Sequence, residues 1–274
     1  MALYKNTVVC RVMKNSDRDV SRLLRHPDLW RAGQLPEGAK TLSSGFPELD
    51  EHLPGHGWPQ SGLSEFMLET AGIGELRLLV PLLRALSQHN RWLAWVNPPF
   101  IPYAPALSAA GIDINKILLI HPRSHKDALW ALERASKSGS SSVVFAWLDE
   151  KQLTVSDTRR LQLAAKQGET LICLFRPKQA VQMNSMAELR LKMTPVPASG
   201  QVAEIEVAIC KRRGGWPVSG LRIKLNETCG ATEIREQLSL WRHWRTRVEP
   251  VVADELTVTP IQPLHDGADS RISH

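Results

Sequence analysis

Between residues 60 and 226 the apolar positions change their spacing several times, and each change predicts an element. Leu63–Leu68 is a short apolar run entered at Gly62. Immediately after it, Gly74 to Ser87 sets Leu76, Leu79, Val80, Leu83 and Leu86 at helical spacing, with Arg77 and Arg84 off that stripe. Trp92–Val96, Ile117–Ile120, Val143–Trp147 and Leu171–Phe175 are apolar almost throughout, as expected of strands covered on both faces. Helical spacing recurs around Tyr103–Ala110, Lys126–Lys137 and Ser156–Gln167, with Gly111, Gly139 and Gly168 placed where such helices stop. This alternation predicts an α/β fold: a mostly parallel sheet with right-handed crossovers and helices on both faces. After Pro177, Glu188–Met193, Val202–Cys210 and Val218–Leu225 read as alternating strands. The turn Arg213-Gly214-Gly215-Trp216-Pro217 joins the last two, and all three are expected to extend the sheet antiparallel.

The same pattern divides the chain. Residues 1–40 read as a helical or linking segment and 41–226 as the core. Residues 227–247 read as a basic helix carrying Trp and Arg. Residues 248–274, with Pro250, Pro260, Pro263 and Gly267, read as an acidic tail expected to be disordered.

Composition excludes whole classes. With 274 residues, 43% hydrophobic and 23% charged, the chain can bury a sizeable core and is neither collagen-like nor low-complexity. It has no run of 18 apolar residues, so no membrane span is expected. Cys10, Cys173, Cys210 and Cys229 are scattered with no CxxC pair, which argues against a thiolate zinc site and fits a reduced, cytoplasmic setting. The net charge of +6 is uneven: the basic excess is concentrated between 178 and 248, and the end of the chain is acidic. That distribution is compatible with a nucleic acid or an acidic protein partner.

In a parallel sheet the first strand-to-helix turn is where a phosphate loop would lie. Here it reads Glu69-Thr70-Ala71-Gly72-Ile73-Gly74-Glu75-Leu76. Against GxxxxGK[ST], only Gly74 fits; Glu69 replaces the opening glycine, Glu75 the lysine and Leu76 the magnesium-binding hydroxyl. Carboxylates repel a polyanion and leucine cannot ligate a hard cation. The acidic residue that would organise magnesium at the end of the fourth strand falls at Trp147, with Asp149 and Glu150 two and three residues later. No enzyme activity, catalytic residue, cofactor or metal is therefore expected. His52 and His56 are separated by Pro54 and Gly55, which breaks helical metal-ligand spacing.

Three further groups invite an interaction reading. Lys211-Arg212-Arg213 stands before the Gly214-Gly215 turn, so three cations are expected to project from a hairpin end. Trp241-Arg242-His243-Trp244-Arg245-Thr246-Arg247 interleaves aromatic and basic groups, a pattern that stacks on single-stranded bases or forms a docked terminal helix. Together Lys211, Arg212, Arg213, Arg242, Arg245 and Arg247 form a candidate DNA or acidic-partner surface. Trp92, Trp95, Trp130 and Trp147 are expected in the core, whereas Trp58 and Trp216, beside prolines, are expected to cap sheet ends.

The residues Thr41-Leu42-Ser43-Ser44-Gly45-Phe46-Pro47-Glu48-Leu49-Asp50, Gly57-Trp58-Pro59, Gly62, Glu65, Gly72-Ile73-Gly74-Glu75-Leu76-Arg77 and Pro102-Tyr103-Ala104-Pro105-Ala106-Leu107 resemble the ImuA family. These are RecA-like accessory proteins of bacterial translesion DNA synthesis. The resemblance covers about residues 22–226 and implies a RecA-like core with a decayed ATP site. It also implies a non-enzymatic adaptor of the SOS response that contacts an inactive Y-family polymerase homologue, RecA and an error-prone replicative polymerase. Gln237-Leu238-Ser239-Leu240-Trp241 resembles the pentapeptide that hooks the sliding clamp, with Gln237, Leu238, Leu240 and Trp241 as anchors; the alternative is the buried face of a terminal helix. Arg91-Trp92-x-x-Trp95, Ser108-Ala109-Ala110-Gly111, Ser142–Leu148 and Phe175-Arg176-Pro177 are also similar to SulA, the SOS-induced inhibitor of the division protein FtsZ. That family lacks the Thr41–Asp50 lead-in and stops near Pro177. Length and lead-in favour the translesion accessory, and a division inhibitor binding FtsZ is the alternative.

Overall fold

The computed structural model describes residues 40–197 and 203–225. The expected segment before Lys40, the basic helix 227–247 and the acidic tail 248–274 lie outside the described residues.

The lead-in folds as a small unit against the core. Strand β1 (Thr41–Leu42) pairs antiparallel with β2 (Trp58–Pro59), and the short helix α1 (Pro47–Asp50) lies between them. Asp50 closes the turn, accepting from Ser43 Oγ at 2.6 Å and from the Ser44 amide at 2.8 Å. Phe46, Leu49 and Trp58 are thereby delivered into the main core. Trp58 is fully buried, so the cap expected there is instead a core residue. Its indole packs on Phe66 with ring centroids 5.7 Å apart.

The main sheet has eight strands. In chain order the elements are β3 (Gly62–Leu68), α2 (Glu75–Ser87), β4 (Trp92–Val96), α3 (Ala104–Ala109), β5 (Ile117–Ile120), α4 (His125–Lys137), β6 (Ser141–Trp147), α5 (Val155–Gln167), β7 (Leu171–Pro177), β8 (Leu189–Pro195), β9 (Ala203–Lys211) and β10 (Val218–Leu225). The strand order is β10-β9-β8-β3-β7-β6-β4-β5. Strands β3 to β7 are parallel to their neighbours, as the alternation predicts. The expectation that all three late strands run antiparallel is corrected. Strand β8 pairs parallel with β3, from Ser64 opposite Leu189 to Leu68 opposite Met193, and β9 runs against both β8 and β10. The turn Lys178–Gln182 and the residues after it return the chain to the far end of the sheet, so β8 re-enters in the direction of β7.

Alternating side chains feed two cores. Phe66, Trp95, Phe145, Cys173 and Phe175 face α2 and α3, with Leu79, Leu83 and Leu86 from α2 and Ala110 and Ile112 after α3. Leu63, Val96, Val144, Ile172 and Leu174 face α4 and α5, with Leu132 and Leu161 from those helices. Each of these helices has a side-chain start signal. Ser124 accepts from the Asp127 amide to cap α4, and Thr154 with Asp157 forms a reciprocal box at α5. Gly168 ends α5 where a Cβ would lie 1.9 Å from the Ser136 carbonyl oxygen, so only glycine lets the two helix ends approach.

Strand β5 departs from expectation. It is an edge strand, and Leu118 and Leu119 are 39% and 38% exposed, so its apolar run is not covered on both faces. Two tryptophans expected in the core are also exposed. Trp92 stands at the mouth of β4, where Arg91 turns toward the Gly168 and Glu169 carbonyls, and Trp130 lies on the outer face of α4. No helix among the described residues is long and apolar enough to cross a membrane.

Candidate functional site at the first strand-to-helix turn

The turn from β3 to α2 holds the residues at which phosphate chemistry was sought. Glu75 is the first residue of α2, yet its side chain turns back into the loop. Its Oε1 accepts from the Gly72 amide at 2.9 Å, while Oε2 accepts from Gly72 at 3.1 Å and from Gly74 at 3.2 Å. Loop amides converging in this way form the anion-binding nest of a phosphate loop. Here the nest is filled by a carboxylate of the chain itself, and that carboxylate is buried.

The other slots are committed elsewhere. Glu69 points outward to Lys178; that hydrogen bond and the lysine's charge hold its carboxyl below the usual carboxylate range. Leu76 packs on the core of α2. Gly74 has φ +107°, and a Cβ there would sit 2.4 Å from Leu225 Cδ1, so β10 presses directly on the loop. Trp147 ends β6 stacked on Phe175, with centroids 4.6 Å apart and ring planes 13° from parallel. The acids after it are not turned to this loop. Asp149 accepts from the Lys151 amide and from Gln152, and Glu150 pairs with Arg176. Among the described residues no three His, Cys, Asp or Glu are gathered to hold a metal.

Beside this turn lies a charged cluster that sequence reasoning did not assemble. Glu65, in the middle of β3, is fully buried. Its Oε1 accepts from Arg176 Nη1 at 2.8 Å and its Oε2 from Arg190 Nε at 2.7 Å. Ser185 Oγ also donates to Glu65, Arg176 continues to Glu150, and Arg190 Nη2 donates to the Ala180 carbonyl at 2.6 Å. Two guanidiniums thus meet two carboxylates from β3, β7, β8 and the loop after β6. Burial alone would weaken the proton's hold on Arg176, but Glu150 and Glu65 outweigh it and its pKa is raised. The available signal was an acid inside the apolar run Leu63–Leu68 and an arginine ending the run Leu171–Phe175, since a buried charge requires a partner.

The basic hairpin end does not project as expected. Lys211 Nζ donates to the Ser185 carbonyl at 3.1 Å, and burial first, then the charge of Arg190, lowers its pKa. Arg212 donates to the Trp216 carbonyl at 2.9 Å and to the His52 carbonyl, while Arg213 pairs with Glu188 at 3.2 Å. These bonds tie the cations to the β7–β8 connection and to the residues after α1, while Lys211 itself remains exposed. Trp216 remains 83% exposed at its tip. Arg242, Arg245 and Arg247, and the pentapeptide anchors Gln237, Leu238, Leu240 and Trp241, lie outside the described residues.

A different surface is apolar. Between β4 and α3 the chain holds Phe100 at 72%, Ile101 at 80% and Tyr103 at 43% exposure. Three large apolar side chains within four residues, none used by either core, are characteristic of a contact surface.

Comparison with known proteins matches residues 63–172 to the family model "Cell division inhibitor SulA". The SulA protein of Photorhabdus laumondii is 39% identical over 114 residues, which is 42% of this chain and 63% of that protein. That of Edwardsiella piscicida is 35% identical over 102 residues, 37% of this chain and 60% of the relative. That of Yersinia pestis is 36% identical over 126 residues, 46% of this chain and 74% of the relative. The chain thus spans about three fifths of the length of the first two. A crystal structure of SulA from Pseudomonas aeruginosa shares 30% identity and aligns over 42% of this chain and 97% of that one, with a TM-score of 0.35. These findings overturn the expectation of a translesion accessory protein. The decisive similarity lies in the core that both resemblances share, and there it is to division inhibitors.

Proposed function

Because the chain belongs to the SulA family of cell division inhibitors, we propose that it arrests division during the SOS response by binding FtsZ in the cytoplasm, without catalysis. The observation that carries this reading is the 36% identity over 126 residues, which covers 74% of the Yersinia pestis relative. The filled loop supports the non-catalytic part: Glu75 takes the amides of Gly72 and Gly74, and its carboxylate stands where a phosphate would be cradled. The RecA-type reading of the core is supported by parallel strands that carry such a loop at their first turn and are extended past β3 by an antiparallel hairpin.

Inhibition by contact needs an exposed surface within the matched span. Phe100, Ile101 and Tyr103 supply one, displayed on the connection between β4 and α3. Aromatic and aliphatic anchors of this kind carry most of the energy of a typical protein interface. The test is induced expression of the full chain in growing cells. Filamentation with FtsZ rings lost is the expected outcome, and it should disappear in the Phe100→Ala, Ile101→Asp double variant while protein level and circular dichroism are unchanged. Normal division at high expression of the parent chain would contradict the proposal.

A further inference from the structure

A crevice of about 250 Å³ opens at the carboxyl ends of β4, β5 and β6. Its position follows from the topology. The chain leaves β4 toward α3 on one face of the sheet, but leaves β5 and β6 toward α4 and α5 on the other. Adjacent strands whose connections diverge in this way leave a gap between them, which is where open parallel sheets bind small molecules. The gap lies away from the Glu75 loop, on the other side of β7.

Its walls have two poles. On one side are Arg123, exposed, and the first turn of α4, whose leading amides have no intrahelical acceptor. Asp127 in that turn accepts from the Ser124 hydroxyl at 2.7 Å and does not line the crevice, whereas Arg123 does. On the other side is Asp149. Its hydrogen bonds from Gln152 and the Lys151 amide, and the nearby His125, hold its carboxyl below the usual range, so it carries full charge at neutral pH. Between the poles stands His125, both of whose ring nitrogens are shut off from water without a partner. A polar atom left that way is costly unless something arrives to meet it. Asn97 forms part of the rim in a left-handed conformation, φ +54°, and its amide donates to the Trp147 carbonyl at 3.0 Å. Pro122 and Leu148 complete an apolar wall.

A single-signed ligand would satisfy one pole and offend the other, whereas a zwitterion satisfies both. From this polarity we propose that the crevice binds a free α-amino acid with a small apolar side chain. Its carboxylate is held by Arg123 and the first turn of α4, its ammonium group by Asp149, and its side chain lies on Pro122 and Leu148. The volume is that of roughly eight waters at about 30 Å³ each, enough for an amino acid the size of leucine. The proposal is independent of the FtsZ reading.

The test is equilibrium dialysis of the purified full chain, with no FtsZ present, against radiolabelled alanine, valine, leucine and methionine. At least one should bind saturably with a Kd of about 1 mM or tighter. For the best of these, the amide that lacks the carboxylate and the N-acetyl form that lacks the ammonium should each bind at least about tenfold more weakly. Arg123→Ala should erase the difference between acid and amide, and Asp149→Asn that between amine and N-acetyl form. Both residues are exposed, and circular dichroism of the variants checks that the fold is kept. Absence of saturable binding by all four amino acids up to about 10 mM would overturn the proposal. So would equal binding of the amide, of the N-acetyl form or of a glycyl dipeptide, because each breaks the two-pole match.

Discussion

Glu75 shows how one side chain can change the meaning of a loop. By type alone it reads as a charge that repels phosphate, and that reading is correct in sign but incomplete in position. It does not stand guard at the mouth of the loop; it occupies the nest, taking the amides of Gly72 and Gly74. The fold-back depends on the left-handed glycines, so position-by-position comparison with a phosphate loop could not reveal it. Glu75→Ala should strand those amides and lower stability by about 1–2 kcal/mol in urea unfolding, with Glu75→Gln losing less. An unchanged midpoint in the alanine variant would show that the contact contributes nothing. Titration of the parent chain with ATP and magnesium should give no binding heat, and micromolar binding would contradict the filled-loop account. Cys173 offers a second residue-scale check. Complete burial pushes its thiol pKa well above the ordinary range, so it holds no reactive thiolate at neutral pH. Cys173→Ser should leave the number of thiols that react with a disulfide reagent unchanged in the folded protein and reduce it by one after unfolding.

Elements were legible wherever apolar spacing alone determines them. The five strands β3 to β7 and the helices α2, α4 and α5 lie within a residue or two of the pattern, because a core face must repeat at the period of its element. Three things escaped, each decided between elements. Strand β8 has an alternating face whether it runs parallel or antiparallel, and only the length of the return after β7 decides which. Strand β5 is apolar at the sheet edge, so its composition could not announce its exposure. The Glu65 cluster needs β3, β7, β8 and the Glu150 loop in register before four isolated charges become one network. That network should be the most sensitive polar feature of the fold. Glu65→Ala would leave Arg176 and Arg190 buried without their shared carboxylate and should destabilise the protein by about 3–5 kcal/mol in denaturant unfolding. A loss below about 1 kcal/mol would mean that water reaches the site and screens it.

At the scale of the whole molecule, two resemblances share one core, and their difference rested on what lies outside it. The lead-in folds onto the core through Phe46, Leu49 and Trp58. Its presence nevertheless said nothing of activity, since a packed lead-in stabilises a core whatever that core binds. Similarity within residues 63–172 carries the functional reading, and this span includes the apolar connection of Phe100, Ile101 and Tyr103. The hairpin end that sequence reasoning favoured as a binding surface has its three cations tied to Ser185, Trp216, His52 and Glu188. Alanine at Lys211, Arg212 and Arg213 together should therefore lower thermal stability more than it changes partner binding. The central claim is inhibition by direct contact, and it is tested most directly by sedimenting purified FtsZ, polymerised with GTP, in the presence of rising amounts of the full chain. The account predicts that pelleted FtsZ falls toward zero near equimolar chain, and that the Phe100→Ala, Ile101→Asp variant leaves it in the pellet. Undiminished FtsZ polymer at a several-fold excess of folded parent chain would contradict it.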